Sequence, residues 1–231
     1  MINSNFIFKW NPTISFPKNY PSHANKMRTL FKAWNNVLEE YELAWREVKN
    51  LPYVYNEQAE VGLLAVAARD TRGLPFLEFS IRKQGQEKNY GGRADLEIYW
   101  RKILDWNLGI EAKAINISCS LRRRDKDLIQ TLKAPLTEAH ISVKKLRKSY
   151  FDYLALVIGR LVNASDDFSR KQLLAVLFKA AWQVKADFCA IHFCDDDIWK
   201  SSEFNDCPGI VIIGKMSGKR ASRKGVLAPL P

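Results

Sequence analysis

The segments GGRADLEIYW (residues 91–100) and LGIEAKAIN (residues 108–116) decide how this chain folds. Both are rich in apolar and aromatic residues, and polar or glycine-containing links bound them, which is the pattern of β-strands. The segment before them, residues 74–83, has the same character. Because only short links separate the three segments, the sequence predicts an antiparallel three-stranded meander.

Two acidic residues and a lysine of this meander are placed for chemistry. Side chains alternate along a strand, so Glu111 and Lys113 point to the same face. Asp95 reaches Glu111 from the neighbouring strand, about 4.8 Å away, if the register agrees. Carboxylates this close repel each other unless a cation joins them, and hard oxygen ligands suit Mg²⁺. Because a lysine beside them can orient an attacking water or stabilise developing charge, the set predicts phosphodiester hydrolysis.

The rest of the chain alternates helices with short apolar strands. Apolar periodicity and end signals predict helices over residues 23–50, 56–70, 126–150 and 169–184. Pro135 is expected to kink or break the third helix. Further strands are predicted at residues 153–159, 186–193 and 209–216. This order predicts an α/β fold with a mixed β-sheet flanked by helices.

The chain divides into three predicted parts. Residues 1–54 hold a proline-containing arm and a helix, which we expect to form an N-terminal helical extension packed on the core. Residues 55–216 form the core, and residues 217–231 form a basic tail. A chain of 231 residues buries a sizeable core without staples, and its four cysteines are too few for a disulfide scaffold.

The meander carries a family resemblance. Asp95, followed after fifteen residues by Glu111-Ala112-Lys113, resembles the motif of the PD-(D/E)XK nuclease superfamily. The resemblance spans about residues 55–195 and implies a restriction-endonuclease-like core. It also implies that Asp95, Glu111 and the Ala112 carbonyl bind Mg²⁺, for which Mn²⁺ can substitute. Lys113 would assist the attacking water.

Other positions match the family less closely. Ala94, rather than proline, precedes Asp95. Many members carry an acidic residue on the first core helix, and here both Glu57 and Glu60 are available, with Glu57 favoured because it resembles the motif residue of some bacterial members. Some members also place a glutamine on the helix after the meander, for which Gln130 is the candidate.

The charge of the chain favours a polyanionic partner. The formal net charge is +11, and most of the excess lies after residue 116. Solvated surface charge would explain any one basic segment, but phosphate contacts are the alternative that fits a nuclease. The candidate nucleic-acid-binding residues are Arg122, Arg123, Arg124, Lys126, Lys144 and Lys145. We expect DNA as the partner in preference to RNA.

Membrane and secretion signals are missing from the sequence, so the expected compartment is the cytoplasm. A homodimer or a protein partner in a larger complex is compatible with the sequence.

His192, Cys194 and Cys207 are candidate zinc ligands, although a satisfied buried histidine with buried thiols explains them better because no paired C-x-x-C is present. The sequence also lacks a P-loop, a dinucleotide-binding glycine motif and a nucleophile elbow.

These features predict a metal-dependent nuclease, namely a DNA endonuclease. Two alternatives stay open. One is a catalytically inactive protein of the same fold that binds nucleic acid or a partner. The other is an RNA-directed nuclease subunit of a larger defence or mobile-element assembly. A shared fold does not choose among these functions.

Overall fold

The computed structural model describes residues 5–13, 21–48, 57–82, 91–100, 106–119, 125–146, 152–163, 169–195 and 207–217. Within them, the elements in chain order are β1 (Phe6–Trp10), α1 (Pro21–Val48), α2 (Glu57–Asp70), β2 (Leu74–Arg82), β3 (Gly91–Trp100), β4 (Trp106–Ser118), α3 (Asp125–Lys145), β5 (Asp152–Val162), α4 (Arg170–Gln183), β6 (Phe188–Phe193) and β7 (Gly209–Met216). None of the helices in these ranges combines the length and the hydrophobicity needed to cross a membrane.

All of these strands form one mixed sheet in the order β1-β6-β7-β5-β4-β3-β2. The β4–β5 pair is parallel, and the other neighbouring pairs are antiparallel. A parallel pair requires a crossover, which α3 provides here. The predicted α/β class is therefore confirmed, but the sheet is seven-stranded and not a three-stranded meander. The antiparallel strands β2, β3 and β4 form only one side of it.

Helices cover both faces of the sheet. Phe8 of β1 stacks on Phe31 of α1, with ring centroids 5.9 Å apart. The next residue, Lys9, lies over the ring of Phe178 in α4. Successive strand residues point to opposite faces, so α1 and α4 lie on opposite sides of the sheet. Because α2 packs on α1 and α3 packs on α4, the fold has three layers.

The N-terminal arm is part of the sheet. β1 pairs with β6 in antiparallel register, from Phe6 opposite His192 to Trp10 opposite Phe188. The sequence predicts only an extended arm packed on the core, because the paired residues of β6 lie 178–186 positions further along the chain. A strand without a hairpin partner nearby carries no local pairing signal.

Pro135 does not break α3, although a break was one of the two outcomes, a kink or a break, expected from the sequence. The helix continues from Asp125 to Lys145 with the proline inside it. Leu132 and Leu136, on either side of Pro135, are fully or almost fully buried against the core. Tertiary packing of this apolar face outweighs the hydrogen bond that proline removes. Residues 147–150, predicted as the end of this helix, lie outside the described residues.

Candidate functional site

β3 separates from β4 next to Asp95. The described register of the two strands ends at the pair Leu96–Ile110, although β4 continues well beyond this point. One further step of the same register would place Asp95 opposite Glu111. Here the Ala112 amide donates a hydrogen bond to Asp95 Oδ2 at 2.7 Å. A carboxylate thus replaces the backbone ladder at this edge of β4.

The first residue of α2 brings a second carboxylate to the same edge. The Ala114 amide donates to Glu57 Oε2 at 3.0 Å. Backbone groups of alternate residues point to the same edge of a strand, so the Ala112 and Ala114 amides lie in succession along it, together with the Ala112 carbonyl. Asp95 and Glu57 are both partly exposed, so solvent reaches these carboxylates.

Glu111 and Lys113 project from β4 on the face covered by α3. The Glu111 residue is 6% exposed. Lys113 Nζ lies 4.0 Å from Glu111 Oε1 and 4.0 Å from Glu138 Oε1 of α3. The lysine therefore bridges a buried carboxylate and an exposed one, and its partly exposed ammonium group lies at the border of the protein and solvent.

Two acidic residues of this region were not identified from the sequence. Glu97 is fully buried and lies on the same face of β3 as Asp95, and the Tyr99 hydroxyl donates to Glu97 Oε2 at 3.0 Å. The alternation of Asp95, Glu97 and Tyr99 along one strand was a usable signal for this residue. Glu138 had no such signal, because its contact with Lys113 depends on how α3 docks.

Glu60, the alternative to Glu57, lies elsewhere. Its carboxylate is 1% exposed, and Glu60 Oε1 is 3.6 Å from Arg160 Nε of β5. Val157 of β5 pairs with Lys113, so both side chains point to the face of the sheet that α3 covers. Arg160 lies three residues after Val157, so its side chain points to the opposite face, on the side of α1 and α2. Burial raises the pKa of Glu60 from its ordinary value of 4.5 to about 8, against the opposing effect of Arg160. Of the two glutamates, Glu57 is the one that reaches β4.

The raised pKa of Glu60 predicts a pH-dependent stability. Below pH 4.5 the carboxyl is protonated in both the folded and the unfolded chain, so its burial carries no ionisation cost. Between pH 4.5 and 8 the unfolded chain ionises first, so stability falls as pH rises. We expect Glu60→Gln to raise the free energy of unfolding by a few kcal/mol at pH 8, at about 1.4 kcal/mol per pKa unit.

This effect is measured by urea denaturation of the wild type and Glu60→Gln from pH 4 to pH 9. The difference between the two proteins should be smallest at the acid end and grow through the window given above. Glu40→Gln, at an exposed position of α1, serves as the control. A pH-independent difference would contradict the assigned ionisation.

Among the described residues, no hydrogen bond or ion pair joins Gln130, Lys144 or Lys145 to the carboxylates of this site. Gln130 is exposed on α3, about 12 Å along the helix axis from Glu138, the α3 residue that contacts Lys113. Lys144 and Lys145 are exposed in the last turn of the same helix. Residues 122–124 lie outside the described residues, as does the tail from residue 218, and only the backbone of Lys126 is described.

The last turns of α3 nevertheless carry clustered positive charge. Burial lowers the pKa of His140 to about 4, with further contributions from Lys144 and from Lys215 of β7. These two lysines therefore lie close enough to His140 to affect its protonation. Lys144 and Lys145 lie about two turns beyond Glu138 along the helix, and their role in nucleic-acid binding stays a prediction.

His192 is held between two side chains of α1. Its Nδ1 lies 2.7 Å from Asn35 Oδ1, and its Nε2 lies 2.6 Å from Glu42 Oε1. Polar atoms of Glu42, His192 and Cys194 all lie within 4.8 Å of one another. Both ring nitrogens already contact oxygen atoms, and Cys207, the third zinc candidate from the sequence, is not a member of this cluster. This geometry favours a satisfied buried histidine over a zinc site.

We expect His192→Ala to lower the free energy of unfolding by about 3–5 kcal/mol, because it leaves the buried Asn35 and Glu42 without their partner. Leu43→Ala is the matched control on α1, since Leu43 is 68% exposed. It should change stability by no more than about 0.5 kcal/mol. Thermal and urea denaturation measure both variants, and a melting temperature of the wild type that falls on addition of a chelator would instead indicate a structural metal.

Comparisons with protein-family models, with curated proteins and with solved structures found no match to this chain.

Proposed function

We propose that this protein is a metal-dependent nuclease with a restriction-endonuclease-like core, and that it acts as a DNA endonuclease. The observation that carries the proposal is the gap between β3 and β4. Asp95 and Glu57 there converge on the Ala112 and Ala114 amides of the strand that also bears Glu111 and Lys113. Three acidic residues and a lysine from three separate elements thus lie on β4 or contact it.

The order of the elements supports the same proposal. A helix, α2, precedes the antiparallel strands β2, β3 and β4, and α3 then crosses to β5, which is parallel to β4. This is the order that the resemblance to the PD-(D/E)XK superfamily implies for its core. The residues of the motif lie on β3 and β4, beside the point where these two strands separate.

The donor atoms that we propose for the metal site are of the type that Mg²⁺ prefers. Asp95, Glu111, Glu57 and the Ala112 carbonyl are all oxygen donors, and Mg²⁺ selects oxygen ligands while keeping several waters. A carboxylate has about four lone-pair sites, so accepting one amide hydrogen leaves Asp95 with further acceptor capacity. When bound, the ion would polarise the scissile phosphate and lower the pKa of a water.

Backbone amides and side chains of this chain have separate roles in the proposed reaction. The Ala112 and Ala114 amides hold the Asp95 and Glu57 carboxylates in place through hydrogen bonds. Lys113, positioned between Glu111 and Glu138, orients the attacking water and offsets negative charge that develops on the phosphate. The exposed lysines at the end of α3 contribute sequence-independent affinity for the phosphate backbone.

A nicking assay tests the proposal. Purified protein is incubated with supercoiled plasmid in the presence of Mg²⁺, Mn²⁺ or a chelator. We expect open-circular and linear products with either metal and none with the chelator. Degradation of linear DNA alone would indicate an exonuclease, and cleavage of RNA alone would favour the RNA-directed alternative. Intact substrates under every metal condition would contradict nuclease activity and leave the inactive binding protein of the same fold.

A further inference from the structure

Two adjoining cavities lie along β1, at the opposite side of the sheet from the carboxylates. They measure about 430 and about 470 Å³, and both are lined by Phe8 and Arg28. β6, β7 and β5 separate β1 from β4, which corresponds to about 19 Å at the usual strand spacing. The two cavities form a groove that the proposed catalytic residues do not line.

Two aromatic rings of α4 form one wall of this groove. Phe178 and Trp182, one turn apart on α4, stack with centroids 5.8 Å apart and an interplanar angle of 24°. Lys9 Nζ lies 4.7 Å from the Phe178 ring centroid. Trp10 lines the same cavity from the other face of β1, where its ring contacts Phe8. Trp10 and Trp182 are only partly buried, so ring surface remains available to a planar ligand.

Positive charge forms the other part of the groove. Lys9, Arg28 and Lys32 line it and are exposed. Glu39 also lines it, and its Oε1 accepts a hydrogen bond from Asn35 Nδ2 at 2.8 Å. Cations therefore outnumber carboxylates along the lining, which favours a polyanion.

We propose that this groove binds single-stranded nucleic acid. A positively charged groove that combines backbone contacts with aromatic stacking is the usual design of proteins that hold single strands without sequence preference. A duplex hides the faces of its bases in the stack, so the aromatic wall selects unpaired nucleotides. The groove residues that define the site are Lys9, Trp10, Arg28, Lys32, Phe178 and Trp182.

Binding is measured by fluorescence anisotropy with a labelled oligothymidylate of about 12 nucleotides, within the roughly 4–16 nucleotides typical of such sites. A chelator is present throughout, so cleavage does not interfere. In the Lys9→Gln, Arg28→Gln double variant we expect the slope of log affinity against log salt to become shallower by about 1.4, at about 0.7 per lost phosphate contact. The matched control, Arg69→Gln with Lys171→Gln, removes the same charge from exposed positions on α2 and α4 outside the groove.

A second variant tests the aromatic wall. Trp182→Leu should weaken oligothymidylate binding by roughly 5- to 100-fold, whereas Trp182→Phe should retain most of the affinity. Equal effects of the groove pair and the control pair would overturn the proposal. The proposal would also be overturned if a duplex of the same length bound as tightly as the oligothymidylate and lost as much affinity in Trp182→Leu. Displacement of the labelled oligothymidylate by polyglutamate as effectively as by unlabelled oligothymidylate would overturn it as well.

This inference does not rest on catalysis. If the protein binds oligothymidylate through the groove but never cleaves DNA, the groove proposal stands and the nuclease proposal is refuted. If the protein nicks plasmid but its oligothymidylate binding does not depend on Lys9, Arg28 or Trp182, the nuclease proposal stands and the groove proposal is refuted. The two proposals therefore fail independently.

Discussion

Replacing Lys113 with alanine is expected to reduce plasmid cleavage by about 10²–10⁴-fold, the usual contribution of a positioned proton-transfer or charge-stabilising group. Lys113 Nζ lies 4.0 Å from Glu111 Oε1, and the lysine side chain is 27% exposed, so it would be open to the water and the substrate of the proposed reaction. Its contribution arises in the transition state, so affinity for DNA in the presence of a chelator should be nearly unchanged.

A purely structural lysine predicts a different result. If Lys113 only neutralises Glu111, removing it leaves a buried carboxylate poorly compensated and lowers stability by a few kcal/mol without a specific loss of cleavage. Thermal denaturation and cleavage are therefore measured on the same preparation. Lys133→Ala, at an exposed position of α3, is the control for the loss of one positive charge. A folded Lys113→Ala protein that cleaves at the rate of the wild type would refute the assigned role.

Asp95→Asn should also reduce cleavage by about 10²-fold or more while the protein stays folded. The carboxamide oxygen of asparagine can still accept the Ala112 amide hydrogen, so the hydrogen bond between β3 and β4 is retained. The negative charge is lost, and with it one of the oxygen donors suited to a divalent cation. The variant thus separates the structural contact of this side chain from its proposed metal ligation.

The direct measurement is Mn²⁺ binding, by calorimetry or electron paramagnetic resonance, on the wild type and Asp95→Asn. We expect weaker binding in the variant, together with an unchanged melting temperature in the presence of a chelator. Asp70→Asn, at the exposed end of α2, is the control for the loss of one carboxylate. Equal Mn²⁺ affinity and equal cleavage in Asp95→Asn would contradict the proposed metal site.

Strand periodicity predicted much of the sheet correctly. The predicted bounds of β3 and β7 agree with the structure, because alternating or continuous apolar runs bounded by polar links are local signals. β1 was not predicted as a strand of the sheet, and a break of α3 at Pro135, one of the two outcomes expected from the sequence, does not occur. Both failures have one cause: pairing with a distant strand and packing against the core override local preference.

The candidate site also combines features that follow from the local sequence with contacts that only the tertiary structure determines. Glu111 and Lys113 share a face because strand side chains alternate, and this follows from their spacing alone. The contact of Glu57 with β4 bridges 57 positions of the chain, and that of Asp95 bridges 17. No spacing rule predicts which amide such a side chain meets.

The sequence by itself determined the α/β class, most of the strands and helices, and the acidic and basic residue types that suggest phosphodiester chemistry. Only the tertiary structure decided that β3 leaves β4 beside Asp95, that Glu57, the glutamate favoured from the sequence, contacts the Ala114 amide, and that the N-terminal arm completes the sheet. The physical reason is that secondary structure reflects the preferences of neighbouring residues. Strand register and helix docking instead depend on burying the apolar surface of the whole chain at once.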